Sequence, residues 1–315
     1  MSATPRWPAA GDLAVALAGV SGTTVRTILL YGSHLTATSP DKHSAFDFIV
    51  VVDHYRDFYA GLSAAGELHR PPWLMTRMAQ VLAPNVIVFA PDDGAEGLAK
   101  CVIISKSDLV EALGPEPPDH FLLGRMVQRL DKVLVASPED EAWIDTLLAE
   151  ARGRVLEWML PYLEAPVDAA GFGRRLLEVC YQGELRPESK GRPERLSAAQ
   201  GDHFREHFGP VLTRGVEEGV LRRDNEAFVL SASAPEALRK RWRAHFRRSK
   251  LRATLRWFKH TLTFANWLPY VIRKVERHTG RAVHLTAIER RLPLIFLWPR
   301  AIVVLMSRPT REIKK

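Results

Sequence analysis

A glycine, a serine and an aspartate near the ends of two apolar segments are the residues best suited to chemistry in this chain. The first predicted strand ends in Tyr31-Gly32-Ser33, and Asp47 lies near the start of a second, 46–52. Glycine lets the backbone approach a phosphate closely, and serine can hydrogen-bond phosphate oxygens through its hydroxyl and N–H groups. A carboxylate beside that phosphate is a hard oxygen ligand for Mg²⁺. The pattern predicts phosphoryl or nucleotidyl transfer, with Gly32, Ser33 and Asp47 as catalytic residues.

The second strand carries a single acid at the predicted site. Metal-binding strands of this type usually place two acids two residues apart, so that both point to one face. Here Ala45 and Ile49 flank Asp47. Asp53 shares the face by parity, but six residues of about 3.3 Å each place it about 20 Å away. Two interpretations stay open on the residues alone: a catalytic aspartate, or a structural carboxylate satisfied within a strand.

Composition limits the class of protein. A chain of 315 residues is long enough for two domains with separate cores. With 46% hydrophobic and 25% charged residues it has the composition of a soluble globular protein, which excludes general disorder. Cys101 and Cys180 are too few and too far apart for a disulfide framework or a zinc site. We expect no signal or transit peptide in residues 1–10, and no run reaches the roughly 20 apolar residues of a spanning helix.

Positive charge is concentrated at the C-terminal end. Residues 239–315 hold 21 Lys/Arg and 3 acids, a net charge of +18, whereas the remaining 23 Lys/Arg and 33 acids give −10. Two apolar stretches, 261–272 and 292–306, lie among these basic residues. Apolar segments flanked by arginine are typical of proteins that lie on an anionic membrane. The alternative is a C-terminal helix that closes the core, with its arginines extending outward.

Hydrophobic periodicity predicts an α+β protein. A small mixed sheet with helices is predicted up to residue 137, and mostly helix follows. We expect a catalytic domain over 1–137, a helical domain over 138–238 and a basic membrane-associating region over 239–315. Besides the two strands above, the predicted strands are 85–90, 101–105 and 133–136, and 225–231 is a short strand or an extended loop. The predicted helices are 11–20, 53–69, 71–82, 107–113, 139–163, 171–185, 197–208, 210–220, 235–260 and 264–278.

Several short motifs occur in an order that resembles a known family. Strand, Gly-Ser, loop and strand with Asp is the core pattern of the nucleotidyltransferase superfamily. Together with the segments Val102-Ile103-Ile104-Ser105, 121–126 (FLLGRM), 181–186 (YQGELR) and 204–210, it resembles the mitochondrial-type phosphatidate cytidylyltransferases, the translocator assembly and maintenance proteins. The resemblance covers about 27–256. The family's second strand also lacks the second acid.

The resemblance implies an activity and a set of site residues. The implied enzyme makes CDP-diacylglycerol and pyrophosphate from CTP and phosphatidate, with Mg²⁺, on the route to cardiolipin. The residues implied to hold Mg²⁺ are Asp47 and Glu184. Those implied to bind the nucleotide are Tyr31, Gly32, Ser33, Arg125, Lys132 and Arg186. The implied location is peripheral, on the cytoplasmic face of a bacterial inner membrane or, in an organelle, on the matrix face of the inner membrane.

The sequence departs from the family in four places. Glu184 stands where the family has Asp, and His34-Leu35 stands where it usually has Gly-Val. A Thr-x-Lys-Gly segment is only loosely matched by 249–257, and the chain after about residue 280 has no counterpart.

Two other functions stay open. One is a nucleotidyltransferase that acts on a soluble acceptor, such as an antibiotic or a protein hydroxyl. The other is a non-catalytic protein on the same scaffold that binds RNA or membranes, because Trp242, Phe246, Trp257 and Phe258 lie among arginines and could stack on bases. We expect an anionic membrane surface, and not nucleic acid, as the partner.

Overall fold

The computed structural model describes residues 8–36, 45–91, 97–163, 165–182 and 198–263. All of them belong to one compact unit, Met1–Thr263. The predicted domain boundaries at 137/138 and 238/239 both fall inside this unit. Its architecture is mixed α/β, with a five-stranded mixed sheet and helices on it, as predicted.

The five-stranded sheet is built from β1 (Val25–Tyr31), β2 (Phe46–Val52), β3 (Asn85–Phe89), β4 (Ala99–Ser105) and β5 (Asp131–Val135). Their order is β3-β4-β2-β1-β5. β2 and β4 are parallel, and the other neighbours are antiparallel. β1 and β2 are almost wholly apolar, as expected for central strands covered on both faces. The more polar β5 lies at an edge.

Helices cover both faces of this sheet. α1 (Pro8–Ser21), α3 (Tyr55–Ala64) and α4 (Pro72–Val81) form a core with one face, through Leu13, Phe58 and Met75. The short α2 (Ser33–Thr36) follows β1 directly. Against the sheet from the other side lie α5 (Lys106–Leu113), which contacts β2 and β4, and α7 (Pro138–Gly153), which contacts β1. A short α6 (Leu123–Met126), which we did not predict, precedes β5.

The following helices differ from the prediction at two points. The predicted helix 139–163 is divided at Arg154 into α7 and α8 (Val155–Met159), immediately after Gly153. The predicted helices 197–208 and 210–220 form a single helix, α10 (Gly201–Glu217), which packs on α9 (Ala169–Gln182). Pro210 lies inside α10 even though an interior proline costs about 3 kcal/mol. Burial of Phe204 and Phe208 before the proline, and of Val211 and Leu212 after it, holds the helix continuous.

A hairpin and a long helix complete the described chain. β6 (Leu221–Asp224) and β7 (Ala227–Leu230) pair around a turn in which Asn225 has φ +54°, and the sequence left this segment open between strand and loop. The long helix α11 (Glu236–Thr263) then contacts the edge strand β3. None of the helices in the described ranges is long and apolar enough to cross a bilayer. The rest of the expected membrane-associating region, 264–315, lies outside the described residues.

Buried arginine and lysine side chains attach α11 to the sheet. Arg256 is 2% exposed, and its Nε and Nη2 atoms donate to the Ala83 carbonyl at 3.1 and 2.8 Å. Its Nη2 atom also donates to Asp119 Oδ2 at 2.6 Å, and Arg252 Nε donates to the same oxygen at 3.0 Å. Lys259 Nζ donates to the carbonyls of Met78, Leu82 and Pro84. The inner side of this basic helix is therefore committed to packing.

Asp119 is the acid on which this attachment depends. Burial by itself raises the pKa of its carboxyl, but the charge and hydrogen bonds of Arg256, with those of Phe121 N–H and Arg252, outweigh burial and leave the pKa below its usual value. The ionised carboxylate thus stabilises the folded state above the pKa of the unfolded chain. This stabilisation is lost as pH falls through the lower pKa of the folded state.

Asp119→Asn tests this attachment. We expect a loss of about 3 kcal/mol in the free energy of unfolding at pH 7, because Arg256 would lose its buried counter-charge. The difference from the wild type should shrink below about pH 4, where the Asp119 carboxyl of the unfolded wild-type chain binds a proton before that of the folded state does. Urea unfolding across pH measures both effects. Glu116→Gln is the control, since it removes an exposed ion pair with Arg241. An Asp119→Asn effect as small as that of the control would contradict this account.

Candidate functional site

The Gly-Ser turn and Asp47 lie side by side at the ends of the central strands. Tyr31 is the cross-strand neighbour of Asp47 in the β1–β2 pair. Gly32 has φ +87°, and a Cβ atom on it would lie 2.7 Å from Asp47 Oδ2. Both the backbone conformation and the lack of space require glycine here. The carboxylate and the turn that the sequence singled out are thus in direct contact.

Local hydrogen bonds hold the turn in shape. The Leu35 N–H and the Thr36 hydroxyl both donate to the Gly32 carbonyl at 3.1 Å. The His34 ring is buried and stacks on Phe46, with ring centroids 4.2 Å apart. This packing fixes the turn against β2 through the His34 side chain. Ser33 therefore begins α2 at a defined position next to Asp47.

Lys100 brings a positive charge to Asp47. It is the neighbour of Asp47 across the parallel β2–β4 pair, and its Nζ atom lies 4.0 Å from Asp47 Oδ1. Both side chains are partly exposed, at 36% and 24%, so solutes can reach them. We did not predict Lys100 as a site residue. The signal was a lysine in an otherwise apolar strand, but its pairing partner could not be known without the sheet order.

Lys100, Arg125 and Arg256 form a cationic cluster whose charges act on the ring of His260. The Arg125 and Arg256 guanidinium groups lie 3.6 and 4.6 Å from the ring centroid of Phe121, and the His260 ring lies 6.3 Å from it. Burial, and then the charges of Lys259, Arg256, Lys100 and Arg125, lower the pKa of His260 well below its usual value. Its Nε2 atom is buried and makes no hydrogen bond. Of these residues, we had predicted only Arg125 as a site residue.

The other predicted site residues are not brought to Asp47 by the described contacts. Lys132 lies on β5, and its Nζ atom donates to Glu141 at 2.6 Å and to Asp145 at 2.9 Å. Burial is the largest single effect and lowers the pKa of this amine, but the hydrogen bonds and charges of Asp145 and Glu141 together outweigh it and raise the pKa. The charge of Lys132 is therefore already balanced by α7. Glu184 and Arg186 lie outside the described residues.

Asp47 is the carboxylate at the candidate metal position. Within the described ranges no group of three or more His, Cys, Asp or Glu side chains is placed to hold a metal. Mg²⁺ often binds through only one or two carboxylates, with substrate phosphates and water completing its shell. Asp47, partly exposed beside a turn suited to phosphate, fits that type of site. It does not fit a metal held by protein ligands alone.

Two cavities of the described chain lie elsewhere. One is lined by the 116–118 loop and α11, and the other by residues of α1, α3 and the start of β1. Neither is lined by Gly32, Ser33 or Asp47. A phosphate site at a strand end can be open to solvent, so it need not coincide with a cavity.

Comparison of the sequence with protein-family models gave no match. No curated protein matched the chain significantly either.

Gly32→Ala tests the contact with Asp47, and Gly66→Ala is its matched control. Gly66 also has a positive φ, +78°, but a Cβ atom there would have nothing within 4 Å. Both variants bear the conformational cost of alanine at positive φ, and only Gly32→Ala also displaces a carboxylate. We expect Gly32→Ala to lose about 1–2 kcal/mol more in the free energy of unfolding, measured with urea. Equal losses would mean that the close contact does not constrain the turn.

Proposed function

We propose that this protein is a Mg²⁺-dependent nucleotidyltransferase that transfers CMP from CTP to phosphatidate at a membrane surface. The products would be CDP-diacylglycerol and pyrophosphate. The observation that carries nucleotidyl transfer is the contact of Gly32 with Asp47, beside Lys100 and the cationic cluster. The choice of CTP and phosphatidate rests on the sequence resemblance alone.

Charge supports a polyphosphate substrate. A nucleoside triphosphate brings several negative charges, and Lys100 and Arg125 would offset them. The Ser33 hydroxyl and the Gly32-Ser33 backbone offer hydrogen bonds to phosphate oxygens next to the carboxylate. Bound Mg²⁺ would neutralise phosphate charge as that charge develops. Asp47 would hold the ion, with Glu184 as the second ligand that the resemblance implies.

The reaction itself needs little from the protein besides position. An oxygen of the phosphatidate phosphate would attack the α-phosphorus of CTP, and the bond from that phosphorus to the pyrophosphate oxygen would break. A phosphomonoester has a second pKa of about 6, so the attacking group is already ionised at neutral pH. No strong general base is required, and catalysis depends on alignment and charge neutralisation.

The solvent side of α11 supports access to a lipid substrate. Lys240, Arg243, Arg247 and Lys250 are exposed along the first part of this side. Leu251, Leu255 and Phe258, spaced four and three residues apart, follow with 61%, 51% and 43% exposure. Basic residues followed by an exposed apolar stripe match the headgroup and acyl boundary of an anionic bilayer. This favours a peripheral protein and the membrane partner over RNA.

Pyrophosphate release tests the proposed reaction. With CTP, Mg²⁺ and phosphatidate in mixed micelles, we expect turnover that depends on phosphatidate. Asp47→Asn should lower it by roughly a hundredfold or more, since it removes the charge at the metal position. Asp53→Asn, on the same chain segment but paired with Arg26, is the control and should stay active. A folded wild type with no turnover on any nucleotide would overturn the proposal.

Flotation with vesicles tests the membrane surface. We expect binding to phosphatidylcholine vesicles that contain phosphatidate, weakened by salt because surface charge contributes. Leu251→Ser with Leu255→Ser should reduce the bound fraction severalfold, because two exposed apolar contacts are lost. Val81→Ser, which changes a side chain that is 79% exposed on α4, should not. Retention on RNA without vesicle binding would instead support the nucleic-acid alternative.

A further inference from the structure

A small cavity lies between α11 and the 116–118 loop, apart from the Asp47 site. Its volume is about 300 Å³. Arg241, Arg248 and Arg252 line it, with Glu116 as the one acid in the lining. This size is at the lower end for ligand pockets, so the cavity can hold a small group but not a whole nucleotide.

The lining has one more cation than its ion pairs balance. Arg241 Nη2 lies 2.6 Å from Glu116 Oε1, and Arg252 Nε lies 3.0 Å from Asp119 Oδ2. Arg248 has no ion pair or hydrogen bond to any residue of the described chain. An exposed arginine without a partner is ordinary at a surface, but here it lines a concave site beside two further guanidinium groups. The cavity therefore has a net attraction for anions.

Two aromatic side chains in the lining have unmet hydrogen-bonding capacity. Trp242 and His245 are 5% and 7% exposed. The buried Trp242 Nε1 and His245 Nε2 atoms make no hydrogen bond within the described chain. Most buried polar atoms are paired, because an unpaired one loses its hydration without compensation. An acceptor atom within the cavity could meet that need after a small rotation of either ring.

Aromatic packing explains why the protein itself does not satisfy these atoms. The Trp242 ring lies 5.1 Å from His245 and 6.2 Å from Trp158, and the His245 ring lies 4.8 Å from His120. His120 hydrogen-bonds Ser249 instead. The rings are thus held by edge and face contacts, and these contacts leave the two nitrogens without a hydrogen-bond partner in the described chain.

Neighbouring charged groups shift the pKa of His245 in both directions. Burial lowers its pKa, as do Arg248 and Arg241, while Asp119 and Glu116 act in the opposite direction. The imidazole is consequently neutral at pH 7, and a bound anion would favour its charged form. The lining arginines and the effect of an anion on His245 therefore both favour a negatively charged ligand.

We propose that this cavity binds a phosphate group, with Arg248 as the principal cation and Trp242 and His245 as hydrogen-bonding partners. Phosphate oxygens can accept from several converging donors, and arginine binds them in a bidentate manner. The group could belong to a small phosphorylated molecule or to a phospholipid headgroup. The site is independent of the proposed nucleotidyl transfer, because it shares no residue with Gly32, Ser33 or Asp47.

Titration calorimetry of the full chain with inorganic phosphate and with glycerol 3-phosphate tests the site. We expect saturable binding that Arg248→Gln weakens at least tenfold. Arg247→Gln is the matched control, since it removes the same charge from the adjacent exposed position, and it should change affinity less than twofold. Trp242→Phe keeps the ring and removes the N–H, and should weaken binding severalfold. Asp47→Asn should bind as the wild type does, whether or not the proposed reaction is found.

A vesicle arm separates the two sources of phosphate. Arg248→Gln and Arg247→Gln are compared for binding to phosphatidylcholine vesicles with and without phosphatidate. A selective loss with Arg248→Gln in calorimetry supports a small phosphorylated ligand, and a selective loss only with phosphatidate vesicles supports a headgroup. Equal losses in the two variants, or no saturable binding in either arm, would overturn the proposal. Unchanged binding by Trp242→Phe would overturn the assigned set of partners.

Discussion

The contact between the Gly32 backbone and the Asp47 carboxylate is the constraint on which the candidate site depends. It exists because β1 and β2 are antiparallel neighbours that place Tyr31 opposite Asp47. A side chain at position 32 would occupy the place of the carboxylate oxygen. The strand pairing, the positive φ and the absent side chain therefore have to occur together. The rest of the sheet, covered by helices on both faces, holds that geometry rigid.

The long helix α11 links the basic end of the chain to this sheet. Its inner side is buried by unusual means, since Arg256 and Lys259 attach to carbonyl groups around Pro84 and to Asp119. This arrangement brings Arg256 and His260 next to Phe121. Its outer side presents arginine, lysine and exposed apolar residues to solvent. One helix thus packs against the sheet on its inner side and offers a surface suited to an anionic bilayer on its outer side.

The two proposed anion sites use the same basic helix in different ways. At the Asp47 site the cations lie beside a carboxylate, which suits a phosphate that arrives with a metal ion. In the cavity lined by Arg248, Trp242 and His245, the donors converge without a second carboxylate free to hold a cation. The first arrangement fits chemistry at phosphorus, whereas the second fits binding alone. A protein that works on phospholipid would have use for both.

The sequence by itself determined the local elements and the central motif. Apolar runs and turn residues predicted the sheet strands and most helices. Gly32, Ser33 and Asp47 could be chosen because they lie at the end of one apolar run and near the start of the next. The single α10 through Pro210 was missed, because burial of its phenylalanines is a tertiary effect that outweighs the local cost of proline. The sequence did not decide between strand and loop for 225–231. The antiparallel pairing of β6 with β7 shows that the segment is part of a hairpin.

Only the tertiary structure decided which distant charges meet. Lys100 reaches Asp47 through the pairing of β4 with β2, and Arg256 reaches the Ala83 carbonyl across 173 residues of chain. The sequence of a basic segment does not show whether its charged side chains face solvent or a buried carboxylate, because composition does not identify their ion-pair partners. The opposite case is Lys132. The sequence predicted that its amine binds the nucleotide, but in the fold the amine is paired with two acids on α7. Local pattern thus determined the turn and the acid, and long-range packing determined their electrostatic surroundings.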